Sequence, residues 1–286
     1  MPKLYKKIVL TGASGSLGHE LRRPIKAMCD ELLSLDIAPL RSEAMAGETY
    51  VAADVADLNA CLAALEGADA VVHFAAIPDE RPFETLLGPN FIGAYNIWEA
   101  AYQKGVRRIV YSSSNHAIGM TPKDDQPGID AAHRPDTFYG LSKCFTEDLA
   151  RMYWEKRGIE SVLLRIASCT TEPMNARALG TWLSFPDLIH LVERALDTPA
   201  AAFSIIYGVS NNDRSPFDNS AAGFLGYRPK DNAEDWAEAI LANAPAADAH
   251  DLAHLRIGGP FASVPLGESG VAGIKASAAK SVDGQG

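Results

Sequence analysis

Cysteine is scarce in this 286-residue chain. Cys29, Cys61, Cys144 and Cys169 are scattered and form neither a C-x-x-C pair nor a metal-ligand spacing. Reduced thiols in a cytoplasmic protein are the simplest account of them, and a zinc site would need ligand clusters that the sequence lacks. No metal is therefore expected. Positive charge is also in short supply: the formal net charge is -10, which gives no electrostatic help with nucleic acid or an anionic membrane. No apolar run approaches the ~18 residues that suggest a membrane span. The N-terminal MPKLYKKIVLTG enters an apolar strand without a cleavage-site pattern, so no signal peptide is expected. What is present is ordinary for a globular protein, 47% hydrophobic and 22% charged. The length suits one large domain, or one domain with a small appendage.

Short apolar runs alternate with helical patterns through the first half. KKIVLTG, ELLSLDI, TYVAAD, ADAVVHFAA and RRIVYSSS read as strands one to five. LNACLAALEG and ETLLGPNFIGAYNIWEAAYQKG carry apolar residues at spacings of three and four, as amphipathic helices do. VVHFAA and IVYSS are apolar without alternation, which suits central parallel strands covered on both faces. Strand alternating with helix predicts an α/β, doubly wound, mainly parallel sheet of Rossmann type. GLSKCFTEDLARMYWEKRG extends as a helix closed by Gly158, and ESVLLRIAS is a sixth strand. SFPDLIHLVERAL reads as a helix with Ser184 as cap and Asp187 completing a capping box. FSIIYGV is a candidate seventh strand, and NSAAGFLGYRPKDNAEDWAEAIL holds two short helices around a turn. Residues 1–262 thus form one domain, with a small C-terminal cap, mainly in 168–262, for the substrate. Residues 263–286 are expected to be a disordered tail: the last twenty have five glycines and no aromatic.

VLTGASGSLG places Gly12, Gly15 and Gly18 directly after strand one, where glycines let a backbone turn tightly and approach a pyrophosphate at a helix N-terminus. A structural turn would explain such glycines too, so their context matters. Asp36 ends strand two, where a carboxylate can accept hydrogen bonds from an adenosine ribose. Asp54 closes strand three, near the expected place of an adenine ring. No P-loop lysine follows the glycines, which excludes an ATPase. Asp36 would also repel a 2'-phosphate, and Ile37 follows it rather than a cation, so NAD is the expected cofactor. Arg41 could support NADP only if its loop folded back.

TFYGLSKC sets Tyr139 and Lys143 one turn apart on one helix face. A phenol ordinarily keeps its proton at neutral pH, but a cation one turn away favours the phenolate. Tyr139 is then a candidate acid or base, or it simply packs on a surface helix. The run Ser112, Ser113, Ser114 ends strand five, and Ser114 lies at the C-terminal end where a ligand would sit. Ser112 and Ser113 suit local strand hydrogen bonds.

TGASGSLG, Asp36, HFAA, SSS and YGLSK together resemble the extended short-chain dehydrogenase/reductases, over residues 6 to about 242. RPFETLLGPNFIGAYN, SSNHAIG, RPDTFYGLSKCFTEDLARMY, RIASCTTEPMNARALGTWLS and FLGYRPKDNAE narrow the resemblance to the uronate dehydrogenases, which oxidise the C1 hydroxyl of a cyclic hexuronic acid to an aldarolactone with NAD. The resemblance implies a small sugar-acid substrate, with Tyr139 as base, Lys143 assisting and Ser114 completing the set. It places Ser14, Ser16 and Leu17 with the three glycines at the cofactor, Ile37 and Val55 beside Asp36 and Asp54, and Phe74, Ala75 and Ala76 after strand four. Asn90, Ser112 and Ile166 join them. Asn90 would tie backbone to Lys143 through water, or cap a kink.

At the substrate the resemblance places Asn115, His116 and Ser168, with Arg177 fixing the carboxylate through its two-pronged guanidinium and Phe261 closing over the sugar. A structural role for His116, or an ordinary salt bridge for Arg177, stands beside those readings. Pro78 occupies the position where the resembled enzymes use a serine against substrate, and cannot donate a hydroxyl. Ser215 and Pro216 stand where tryptophans are usual, and strand five reads YSSS rather than ASS. Such losses can reshape which sugar is accepted, so another acidic or neutral aldose stays open. A sugar-nucleotide epimerase or dehydratase and an NAD-sensing regulator are the rival classes. Members of the resembled superfamily commonly pair through the helices at about 81–103 and 139–157; their large apolar residues (Tyr95, Ile97, Trp98, Met152, Tyr153, Trp154) suit that pairing or ordinary core packing, and the resemblance implies at least a two-fold dimer.

Overall fold

The computed structural model describes residues 3–244 and 250–271. In chain order it runs β1 (Tyr5–Thr11), α1 (Ser16–Met28), β2 (Cys29–Asp36), β3 (Glu48–Ala52), α2 (Leu58–Ala64), β4 (Ala70–His73), α3 (Phe83–Leu86), α4 (Gly93–Lys104), β5 (Arg108–Ser114), α5 (Phe138–Arg157) and β6 (Glu160–Ile166). The pair β7 (Ser168–Cys169) and β8 (Trp182–Leu183) flanks α6 (Ala178–Thr181), and α7 (Phe185–Asp197), β9 (Phe203–Gly208), α8 (Ala237–Ala242) and α9 (Leu252–Leu255) follow.

The main sheet has seven strands in the order β3-β2-β1-β4-β5-β6-β9, and every pairing in it is parallel. Parallel strands must be covered on both faces, and alternate residues of β1 serve both. Ile8 and Leu10 join the apolar cluster under α1 and α7, whereas Val9 joins the cluster under α2, α4 and α5. All three are fully buried. The strand order reverses between β1 and β4, and ligands of open α/β sheets bind outside the strand ends at that switch point. Among the described residues, no helix is long and apolar enough to cross a membrane.

Four expectations need correction. The helix expected over 84–105 is broken by a wide π-helical turn, Leu87–Ile92. Pro89 has no N–H to give to the ladder there, so the chain absorbs an extra residue. The capping box is half present: Ser184 Oγ accepts from Asp187 N–H at 3.1 Å, but the Asp187 carboxylate turns to the Lys230 and Asp231 N–H groups at 2.9 and 3.1 Å. Ile97, Trp98 and Tyr153, expected at a subunit surface, are core residues. Finally, the first part of the expected disordered tail is packed: Gly267, Ser269 and Val271 bond to Asp79 and Glu80. Buried carboxylates supply the ordering energy that its composition lacks. Residues 272–286 of that tail lie outside the described residues.

Candidate active site

The β1–α1 turn depends on missing side chains. Gly12 has φ 74, and a Cβ there would lie 2.6 Å from the Phe74 carbonyl carbon and Ala75 N. A Cβ on Gly18 would lie 2.0 Å from Gly12 O. Only glycine permits so close an approach of strand, turn and helix. The turn is braced by Asp36, whose Oδ2 accepts from Ser14 N–H at 2.9 Å and whose Oδ1 accepts from Ala38 N–H at 2.9 Å. Asp54 Oδ1 accepts from Ala56 N–H at 2.9 Å. The loop after β2 does fold back, since Arg41 Nε donates to Ser14 O at 2.7 Å.

A cavity of about 960 Å³ runs from this turn across the switch point to the ends of β5 and β6. Its nucleotide end is walled by Gly12, Ser14, Gly15, Ser16, Leu17, Gly18, Asp36, Ile37, Asp54 and Val55. Phe74, Ala75, Ala76, Pro78, Ser112 and Ile166 follow, and Ser114, His116, Tyr139, Lys143, Ser168, Arg177 and Phe261 enclose the far end. Two expected residues, Asn90 and Asn115, are not among its walls. Asn90 brackets the Ile77 backbone, accepting its N–H at 2.9 Å and donating to its carbonyl at 3.1 Å, and donates to Ser142 Oγ at 3.2 Å. It therefore joins the loop after β4 to α5 without reaching Lys143. Asn115 is buried and donates to Ile257 O at 3.1 Å, while its Oδ1 has no hydrogen-bond partner. Ser215 lines a second cavity, of about 490 Å³, and Pro216 packs beside Gly180.

Helix α5 starts where Thr137 Oγ1 caps it by accepting from Gly140 N–H at 2.9 Å. That start aims Tyr139 and Lys143 at the end of β5, both buried. Lys143 Nζ donates to Ser112 O at 2.7 Å and to Tyr111 Oη at 3.1 Å, and lies 5.3 Å from the Tyr139 ring centre. Burial pushes the lysine down to about 7, against the pull of Glu147 one turn further on. Burial pushes the Tyr139 phenol up to about 12, with Ser114 working the other way. Lys143 does not bring the phenol below its ordinary value: desolvation dominates, and the ammonium points its hydrogen bonds at β5. Ser114 Oγ accepts from His116 N–H at 3.2 Å.

His116 is held on three sides. Its Nδ1 is 2.7 Å from Asp136 Oδ2, its ring stacks on Phe261 with centres 4.2 Å apart, and it meets Tyr139 edge-on at 5.7 Å. The Asp136 side chain has no exposed surface, because Gly119 and Gly258 pack where a Cβ would collide with its carboxylate, at 2.0 and 1.9 Å. Arg177 donates from Nη1 to Ser168 Oγ at 3.1 Å and from Nη2 to Ile257 O at 2.8 Å. Its Nε is enclosed without a partner, and no carboxylate pairs with it among the salt bridges of the described residues. Burial lowers this guanidinium to about 10, against Asp136.

Sequence reading missed Asp136, Glu80 and the network around Glu147. The signal for Asp136 was local, an acidic residue beside the cap of the Tyr139 helix. Glu147 accepts from Ser113 Oγ at 2.5 Å, from Arg165 Nε and Nη2 at 3.0 and 2.8 Å, and lies 2.8 Å from His133 Nε2. Its place one turn after Lys143 was the available clue.

A glycine turn at the switch point, a carboxylate at the end of β2 and a buried Tyr-Lys pair are the pattern of a dinucleotide-dependent oxidoreductase. Comparison with known proteins agrees. Residues 8–175 match the NAD dependent epimerase/dehydratase family. The chain is 43% identical over 259 residues to a uronate dehydrogenase of Pseudomonas putida, covering 90% of this chain and 96% of the relative. It is 44% identical over 261 residues to that of Agrobacterium fabrum, covering 91% and 98%. A solved variant of the Agrobacterium tumefaciens uronate dehydrogenase, complexed with NAD, superposes with a TM-score of 0.87 at 43% identity, covering 91% of this chain and 98% of that one. The chain belongs to the NAD-dependent epimerase/dehydratase family and is an NAD-dependent oxidoreductase. NAD is its cofactor, and the cavity runs past Gly12, Gly15 and Gly18 at the start of α1, where a helix N-terminus suits a pyrophosphate.

Proposed function

We propose that this protein oxidises the C1 hydroxyl of a cyclic hexuronate, glucuronate or galacturonate, to the aldarolactone. The observation that carries the reading is Arg177, a guanidinium enclosed at the far end of the cavity with a free Nε and no carboxylate partner. A buried cation with no direct ion pair, and only the His116-bound Asp136 carboxylate acting on it, is costly unless a ligand supplies a partner. Half-buried Lys123 adds to the positive field, its own pKa lowered by burial first and by Arg177 second. The names of the similar enzymes point the same way.

In this reading Tyr139 takes the proton of the C1 hydroxyl, and Ser114 holds that hydroxyl oxygen in place. Bound NAD supplies the acceptor for the C1 hydride. Lys143 stabilises the negative charge that develops on Tyr139, an interaction strengthened by the dry site. Arg177, Ser168 and His116 orient the sugar, and Phe261 covers it. Pro78 removes one hydroxyl contact, and a neutral hydrogen bond contributes only about 0.5–1.5 kcal/mol net. Purified protein should reduce NAD with glucuronate or galacturonate in a panel of uronates and neutral aldoses. Activity confined to nucleotide sugars would contradict the reading.

The same proposal includes a two-fold dimer. Ile92, Tyr95 and Tyr102 on the α4 side and Leu141, Phe145 and Met152 on α5 leave large apolar surface exposed. Light scattering that finds only monomer at micromolar concentration would remove it.

A further inference from the structure

Glu80, in the loop between β4 and α3, takes part in no step above, yet it has no exposed surface. Both its carboxylate oxygens accept from backbone N–H groups far away in the chain. Oε2 accepts from Tyr139 at 2.8 Å and Oε1 from Gly267 at 2.8 Å. The first bond satisfies a donor that the start of α5 would leave orphaned, and its charge suits a helix N-terminus. Thr137 already caps the neighbouring N–H, and a simple cap would not need a second oxygen spent on the C-terminal segment. The adjacent Asp79 grips that same segment, accepting from Ser269 Oγ at 2.5 Å and Val271 N–H at 3.2 Å.

What the acid pair holds is a wall of the cavity. Phe261 and Val271 line it, and Gly270 lies so close to the Phe261 ring that a Cβ would be 2.4 Å from Cε2. The segment therefore backs the aromatic that stacks on His116.

We propose that Glu80 is a positioning residue that locks the first turn of α5, and with it Tyr139, to the C-terminal wall of the cavity. Base and wall then keep one geometry when the sugar enters. The kinetic side of this rests on the dehydrogenase reading; the mechanical side does not. Glu80→Gln turns one acceptor into a donor that faces an N–H. Hydrogen exchange should then rise both in 137–145 and in 263–271. kcat/KM for glucuronate should fall about tenfold, mainly in kcat, because small misplacements of a catalytic group lower rates steeply. The Kd for NAD should stay within about twofold. Gly267→Pro removes the other donor and cannot keep the φ of 86 that this glycine adopts, so it frees the C-terminal segment from Glu80. It should loosen 137–145 as well and lower kcat comparably, and the double variant should be no worse than the worse single. The proposal is overturned if either variant loosens its own segment and leaves the other segment and kcat as in the parent. Exchange is read without sugar. A parent protein inactive on every uronate would end the dehydrogenase reading while exchange still decides the coupling.

Discussion

The two ends of the cavity are built by opposite rules. At the nucleotide end, Gly12, Asp36 and Asp54 lie at the C-terminal ends of β1, β2 and β3, and their contacts stay among the strand ends there: Asp36 with Ser14 and Ala38, Asp54 with Ala56, Gly12 against Phe74 and Ala75. At the substrate end the contacts join remote segments: Asn115 and Arg177 both donate to Ile257 O, and Glu80 joins Tyr139 to Gly267. A cofactor shared by many enzymes can be held by backbone geometry that a short motif encodes. A particular sugar needs a pocket assembled from whatever the tertiary fold brings together.

If the ends are separable, the largest effect comes from the residue between them. Tyr139→Phe should lower turnover by about a thousandfold or more while NAD affinity stays within about twofold; substantial remaining turnover would place the base elsewhere. Next is the brace beneath both ends. Arg165 and Glu147 form a fully buried pair, and Glu147→Leu should cost about 3–5 kcal/mol in denaturant unfolding. The pH sign follows from both groups. Burial raises the Glu147 pKa, but hydrogen bonds from His133, Arg165 and Ser113 outweigh it and hold it below the usual carboxylate range. Its stabilisation is present above that range and is lost as pH falls through the depressed value. His133 is raised, first by its hydrogen bond to Glu147; its share is present below the ordinary imidazole range and lost as pH rises through the raised value. Stability flat across both limbs would contradict this.

Two smaller effects sharpen the contrast. If Tyr139 is the base, as proposed, oxidation should quicken as pH rises from near neutral, because burial pushes the pKa of that phenol up; a falling rate over that range would contradict the assignment. At the nucleotide end, Asp36→Ala should raise the NADP to NAD ratio of kcat/KM about tenfold, or ~1.4 kcal/mol. Arg41 already lies against the glycine turn, so removing the carboxylate leaves a cation beside the ribose position.

The same contrast explains what could be read in advance. The strand ends, the glycine turn, Asp36 and the Tyr-Lys pair have short-range signatures of periodicity and spacing, and they fall where the sequence puts them. The π turn was missed because the helical period runs on through Leu87–Ile92, and only the Gly-Pro pair interrupts it. Trp98 and Tyr153 were misplaced because helices covering a parallel sheet bury a broad face. Asp136 and Glu80 left little trace, since a buried carboxylate is recognised by its donors, and those arrive from other parts of the chain.

The central claim is that the far end of the cavity is built for a carboxylate, and Arg177 is where it can be broken. The measurement is the ratio of kcat/KM for glucuronate over glucose, with NAD, in the parent and in Arg177→Leu. A charge-assisted bond contributes about 1.5–3 kcal/mol, and truncating one partner of a desolvated pair costs about 2–5 kcal/mol. The account predicts that glucuronate is strongly preferred by the parent. The substitution should then lower its kcat/KM by roughly tens- to a thousandfold, leave glucose nearly unchanged and erase most of the preference. An unchanged ratio would show that Arg177 does not hold the carboxylate, and the substrate class would have to be sought again.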